Sequence, residues 1–201
     1  MNVYVESNFV LELALLQEQH TSCEELLRLC EGGRIQLVIP AYSLAEPYET
    51  LTRRHRQRKR MKAELDEELR QLARTATYAQ RLSGFQQLTT LLIDSADEEA
   101  KRLEGVRARL LQVAEVIPLE VSILTAAIQY QRTHGLDPQD ALVYATVLLH
   151  LKQYQGPQSC FLNRNARDFD DPDLIAELAV YNCKLLPQFD AGCRFVLSCL
   201  S

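Results

Sequence analysis

Short runs of consecutive apolar residues alternate along the chain with longer segments in which apolar positions recur every three or four residues. The runs read as strands buried on both faces, and the periodic segments as helices with one face inward. Val3, Tyr4 and Val5 open the series as a strand that ends at Glu6, and Phe9, Leu13 and Leu16 mark the helix after it. Ser22 with Glu25 matches a capping box and predicts a second helix through Cys30, ended by Gly32 and Gly33. Ile35 to Pro40 reads as the second strand, and Tyr42 to Leu51 resumes a helical pattern that contains Glu46.

Residues 53–60, RRHRQRKR, form a basic block, after which Met61, Leu65, Leu69, Leu72 and Ala76 make one apolar stripe on a long helix. A second capping box, Ser95 with Glu98, predicts another long helix through Leu103 towards Leu110, with residues 85–93 as the turn and return of an antiparallel arm. Beyond the short apolar segment VAEVIP, a helix from Leu119 to about Gln131 ends near Gly135. Asp137 and Pro138 then start a largely buried helix carrying Leu142, Ala145, Val147, Leu148 and Leu151. Ser159 to Leu162 predicts a strand leading into the polar run NRNARDFDDPD, a helix begins near Pro172, and Cys183 to Leu186 makes a late strand. This alternation predicts an α/β fold, a three-layer α/β/α sandwich around a short parallel sheet, as one domain over residues 1–201 with a long helical insertion at 53–110.

Composition narrows the function classes. At 201 residues, 47% hydrophobic and 24% charged, the chain is not a disordered one. The 27 acidic and 22 basic residues give a formal charge of -5, which excludes a strongly basic nucleic-acid binder but leaves room for a local basic surface. No apolar run approaches the roughly 18 residues of a membrane span, and the start lacks a signal pattern, so a cytoplasmic protein with no membrane partner is expected. The six cysteines lack metal or disulfide spacing and read as packed thiols. His20, His55, His134 and His150 form no metal or catalytic pattern, and no GxSxG motif supports a covalent route.

The remaining chemistry lies in carboxylates. Glu6 stands at the end of the first strand, Glu46 in the helix after the second, Asp140 at the start of a buried helix, and Asn165 and Asp168 beside a late strand. An open α/β sheet gathers such positions outside its strand ends, where hard oxygen ligands suit Mg²⁺ or Mn²⁺. Singly, each has a structural explanation: Asp140 as a helix cap, Glu46 as a surface carboxylate, Asn165 and Asp168 as turn formers.

The segments VYVESNFVLELA, IPAYSLAEPYETL, LDPQDALVYATVLLHL and CFLNRNARDFDDPDL resemble, in order and spacing, the four signature regions of the PIN domain family, many of whose members are metal-dependent ribonucleases. The resemblance covers residues 1 to about 50 and about 115 to 190. It implies a divalent-metal-dependent endoribonuclease, including the toxin-type nucleases of toxin and antitoxin pairs, with Glu6, Glu46, Asp140, Asn165 and Asp168 catalytic. Mg²⁺ or Mn²⁺ would be held by Glu6, Glu46, Asp140 and Asp168, and Ser7, Asn8 and Asn163 would support the site. Arg53, Arg54, Arg56, Arg58, Lys59 and Arg60 are candidate RNA contacts, although the same block could pair with the acidic ELDEE run or serve a homodimer. An antitoxin or another protein is a further candidate partner. Two departures stand out: the first acidic position is Glu6 where most relatives have Asp, and the last is the neutral Asn165. They support an alternative, a catalytically weakened PIN-like module for RNA binding or protein interaction.

Overall fold

The computed structural model describes residues 1–200 except 80, 81, 83, 84, 155, 157, 166–168 and 170. Its elements are β1 (Asn2–Val5), α1 (Ser7–Leu15), α2 (His20–Glu31), β2 (Gln36–Pro40), α3 (Ala41–Ala73), α4 (Ala76–Ala79) and α5 (Phe85–Val113). There follow β3 (Glu115–Ile117), α6 (Val121–His134), α7 (Pro138–Gln153), β4 (Ser159–Leu162), α8 (Pro172–Val180), β5 (Cys183–Leu186) and α9 (Phe189–Leu200). The strands form one parallel sheet in the order β3-β2-β1-β4-β5.

Alternate residues of the strands feed two cores, as the two-residue repeat of a strand requires. Val3, Val5, Leu37, Ile39, Cys160 and Leu162 pack with α1, α2, the start of α3, the end of α5 and α9. Tyr4, Val38 and Phe161 point the other way, into a layer made by α6, α7 and α8. The result is the expected three-layer α/β/α arrangement around a parallel sheet. Among the described residues no helix is long and apolar enough to cross a membrane.

Strand and helix positions largely follow the hydrophobic pattern, with specific departures. β3 is only three residues long and begins at the exposed Glu115, so VAEVIP carries little strand signal. α9 repeats Phe189, Cys193 and Val196 on its buried face. Neither capping box starts a helix. The Ser22 hydroxyl lies inside α2 and donates to Asp190 at 2.6 Å, a tertiary contact with α9. Ser95 lies inside α5, where its Oγ receives the Arg58 guanidinium at 3.2 Å. Gly135 does end α6, in the left-handed region at φ 65° that glycine adopts without strain.

α3 runs unbroken for 33 residues from the end of β2 through the basic block, about 50 Å at 1.5 Å per residue. It packs against α5, and the bases of both helices enter the core through Leu44, Leu51, Leu103, Val106 and Leu110. Further out, Arg58 forks onto both oxygens of Glu99 at 2.9 and 3.0 Å. The expected apolar stripe is not the packed face there: Met61, Leu65 and Leu72 are exposed, while Lys62 and Asp66, one position further along, form an ion pair beside α5.

Phe161 sits in the centre of β4 with no exposed surface, edge-on to Phe169. Phe161→Ala is expected to lower unfolding stability by about 3–5 kcal/mol, because a well-packed site does not collapse around the lost ring. Urea unfolding with an unchanged m-value checks this.

Candidate functional site

β1 and β4 are neighbours at the middle of the sheet, yet the chain leaves β1 towards β2 and β3 and returns to begin β4 on the other side. Such a reversal leaves a crevice at the carboxyl ends of the strands. Val5 and Leu162 are paired in register. Glu6 and Asn163, the residues that follow them, therefore emerge side by side into that crevice.

The crevice is a cleft of about 500 Å³ that brings together Glu6, Ser7, Asn8, Glu46, Asp140, Asn163 and Asn165. Four segments supply them: the start of α1, the first third of α3, the start of α7 and the turn after β4. Thr50, Arg53 and Arg54 border the same cleft from α3. Asp168 lies outside the described residues. Of the remaining basic residues, Arg56, Lys59 and Arg60 are exposed on α3, whereas Arg58 is turned to Glu99 and Ser95.

Glu6 caps α1: its Oε2 accepts the Asn8 amide at 2.7 Å, and its Oε1 accepts the Arg164 amide at 3.4 Å. Only 6% of the residue is exposed. Burial raises its pKa from 4.5 to about 7 and the Glu46 charge adds to the rise, while the hydrogen bonds to Asn8 and Arg164 oppose it. The Ser7 hydroxyl donates to Glu46. Asp140, in the first turn of α7, accepts the Asn165 side-chain amide at 2.8 Å. Asn163 Oδ1 accepts the Asn165 backbone amide at 2.8 Å, and its Nδ2 is buried with no partner among the described residues.

Two residues that the sequence pattern does not single out hold this arrangement. Glu12 is fully buried in α1, where it forms an ion pair with Arg164 and accepts the Gln19 amide at 2.8 Å. The pair ties the turn after β4 to α1, and the amide of the same Arg164 reaches Glu6. A carboxylate three residues after Phe9, on the inward face of an apolar helix, was the available signal.

The donor chemistry is that of a hard-cation site, but the arrangement is not. Among the described residues no group of three His, Cys, Asp or Glu side chains stands close enough to hold one ion. Glu6, Glu46 and Asp140 each receive a donor from the protein instead. In this arrangement the described residues do not fit a resident Mg²⁺ or Mn²⁺.

Comparison with known families gives a match to the PIN domain over residues 3–169. The chain belongs to the PIN domain family. The match spans all the elements that build the cleft, and it relates this PIN domain to a ribonuclease family. No curated protein matches the chain.

The Glu6 shift has a definite sign. Unfolded Glu6 releases its proton near 4.5 and folded Glu6 keeps it to about 7, so stability contributed by the protonated form is present below the lower value and lost as pH rises through the upper one. In metal-free buffer this accounts for a loss on the order of 3 kcal/mol across that window. Glu6→Gln is expected to remove this pH dependence and to be the more stable form at alkaline pH, as read from urea midpoints on both sides of the window.

Proposed function

We propose that this PIN domain binds RNA at its acidic cleft and is weakened as a catalyst, so that recognition is its principal activity. The observation that carries this reading is the pairing state of the cleft: Glu6, Glu46 and Asp140 each already hold a protein donor, while Arg53 and Arg54 border the same space, which Asp137 also lines. Phosphate binding draws on clustered arginines and lysines, and Arg56, Lys59 and Arg60 continue the cationic surface along α3. A carboxyl that keeps its proton to about pH 7 also sets a proton in competition with any cation at Glu6.

A second reading, a divalent-metal-dependent endoribonuclease of the toxin type, is favoured by the convergence of Glu6, Glu46, Asp140 and Asn165 on one cleft. It requires those carboxylates to draw together around a shared Mg²⁺ or Mn²⁺, which they can do through the oxygens that their present donors leave open.

Fluorescence anisotropy with labelled single-stranded and hairpin RNAs, in Mg²⁺, Mn²⁺ or excess chelator, separates the two when the products are run on a gel. Binding that persists in chelator without cleavage is expected. Replacing Arg53 and Arg54 together by Ala is expected to reduce the slope of log K against log salt by up to about 1.4, the contribution of two phosphate contacts on a single strand. Metal-dependent products that vanish in Asp140→Asn would overturn the binding reading in favour of the nuclease.

A further inference from the structure

A second feature of α3 lies beside the acidic cleft and plays no part in it. Tyr48 is 53% exposed, and the Arg107 guanidinium from α5 stands over its ring, 5.7 Å from the centroid. A cation over one face of a ring that is half exposed leaves ring surface to which a flat partner can be added. Arg107 Nε is buried and has no hydrogen-bond partner among the described residues, so the guanidinium is positioned by packing on the ring and not by an acid.

Two depressions meet at this ring. One, of about 320 Å³, runs between α3 and α5 and includes His55 and Lys59. The other, of about 780 Å³, lies over the outer surface of α3 and includes Arg53, Arg56 and Arg60. Tyr48, Thr52 and Arg56 border both, as their four-residue spacing along the helix allows. Arg53 borders the second depression and the acidic cleft. The cleft, the arginine surface and the aromatic ring therefore form one continuous path around α3. Glu49 and Glu104 also border it, and Glu99 is neutralised by Arg58.

We infer that Tyr48, backed by Arg107 and flanked by Arg53, Arg56 and Arg60, is a subsite for single-stranded RNA. An unpaired base stacks on the exposed surface of the Tyr48 ring, and the adjoining phosphates lie against the arginines on the way to the acidic cleft. Alternation of an aromatic platform with cations is what binding of an unpaired strand needs, and a duplex cannot present a base face to the ring. This rests on the RNA-binding reading above and adds to it the strandedness of the ligand and the residue that senses it.

The chain contains no tryptophan, so Tyr48→Trp introduces a single tryptophan at the exposed ring position, which can be excited apart from the tyrosines. Titrating this variant of the 201-residue chain with a short single-stranded RNA is expected to quench its tryptophan emission, and the duplex of the same sequence is expected to leave it unchanged. Tyr48→Ala is expected to weaken single-strand binding about 5- to 150-fold, the range for one lost base stack, with duplex binding unaltered and the urea midpoint lowered by no more than the lost contact with Arg107. Single-strand binding without quenching, and undiminished in Tyr48→Ala, would overturn the subsite while leaving the RNA-binding reading intact if the Arg53 and Arg54 double variant binds weakly. Absence of RNA binding by the unmodified protein would overturn that reading itself, and the subsite with it.

Discussion

A carboxylate buried at the end of the central strand has to be satisfied from within the protein, and the cleft is organised around that demand on Glu6. One backbone amide comes from α1 itself, through the ordinary geometry of a helix start. The other comes from Arg164, after β4, and reaches Glu6 because that segment is drawn towards α1 by the Arg164 ion pair with Glu12. A fully buried carboxylate such as Glu12 is tolerated only when it is paired and hydrogen-bonded, and the guanidinium together with the Gln19 amide meets both conditions. From there the turn continues through Asn163 to Asn165 and ends on Asp140 of α7. One chain of polar contacts thus links the helix layers on both faces of the sheet through the crevice between β1 and β4.

The acidic excess of the chain coexists with a cationic surface because α3 sorts its charges by direction. Arg58 and Lys62 are committed to Glu99 and Asp66, leaving Arg53, Arg56, Lys59 and Arg60 exposed. The opposing helix is fixed from below: Arg102 donates to the Ala14 carbonyl at 2.8 Å, and Arg109 pairs with both Glu24 and Glu31. Tyr48 and Arg107 stand on this anchored part of the arm, close to Leu51, Leu103 and Leu110 of the core. The outer part has fewer buried side chains and exposes Met61, Leu65, Leu72, Leu88 and Leu91. The residues proposed for recognition, Tyr48 and Arg107, thus lie in the part of the arm nearest the sheet, where packing restricts both helices.

The strands β1, β2 and β4 were legible because burial on both faces leaves short apolar runs, β5 was legible as an apolar segment in spite of the exposed Lys184, and the gathering of Glu6, Glu46, Asp140 and Asn165 followed from where such runs end. What escaped was decided by partners far away in the chain. Ser22 and Ser95 carry the local pattern of a helix cap, yet their hydroxyls serve Asp190 and Arg58 in other elements. The apolar stripe from Met61 to Leu72 has helical spacing, but only Leu69 of these is half-buried; at Met61 and Leu65 the line that meets α5 lies one residue on, where the Lys62 and Asp66 ion pair takes their place. The Glu12 and Arg164 pair joins positions 152 residues apart and was visible in the sequence only as an acid on an apolar helix face. Tyr48 became informative once Arg107 was seen over its ring.

The two departures from the common PIN pattern act in the same electrostatic direction. Glu6, buried and held partly protonated near neutrality, carries less than a full charge there, and Asn165 contributes a neutral amide where an acid is common. The cleft is consequently less negative than its family position suggests, and the donors on Glu46 and Asp140 disperse part of the charge that remains. For a metal site this is a loss, since hard cations are held by the summed charge of their ligands. For phosphate approaching past Arg53 and Arg54 it removes repulsion that a cation would otherwise have to offset. The departures that lower the charge available to a metal thereby also lower the repulsion that a polyanion would meet in the cleft.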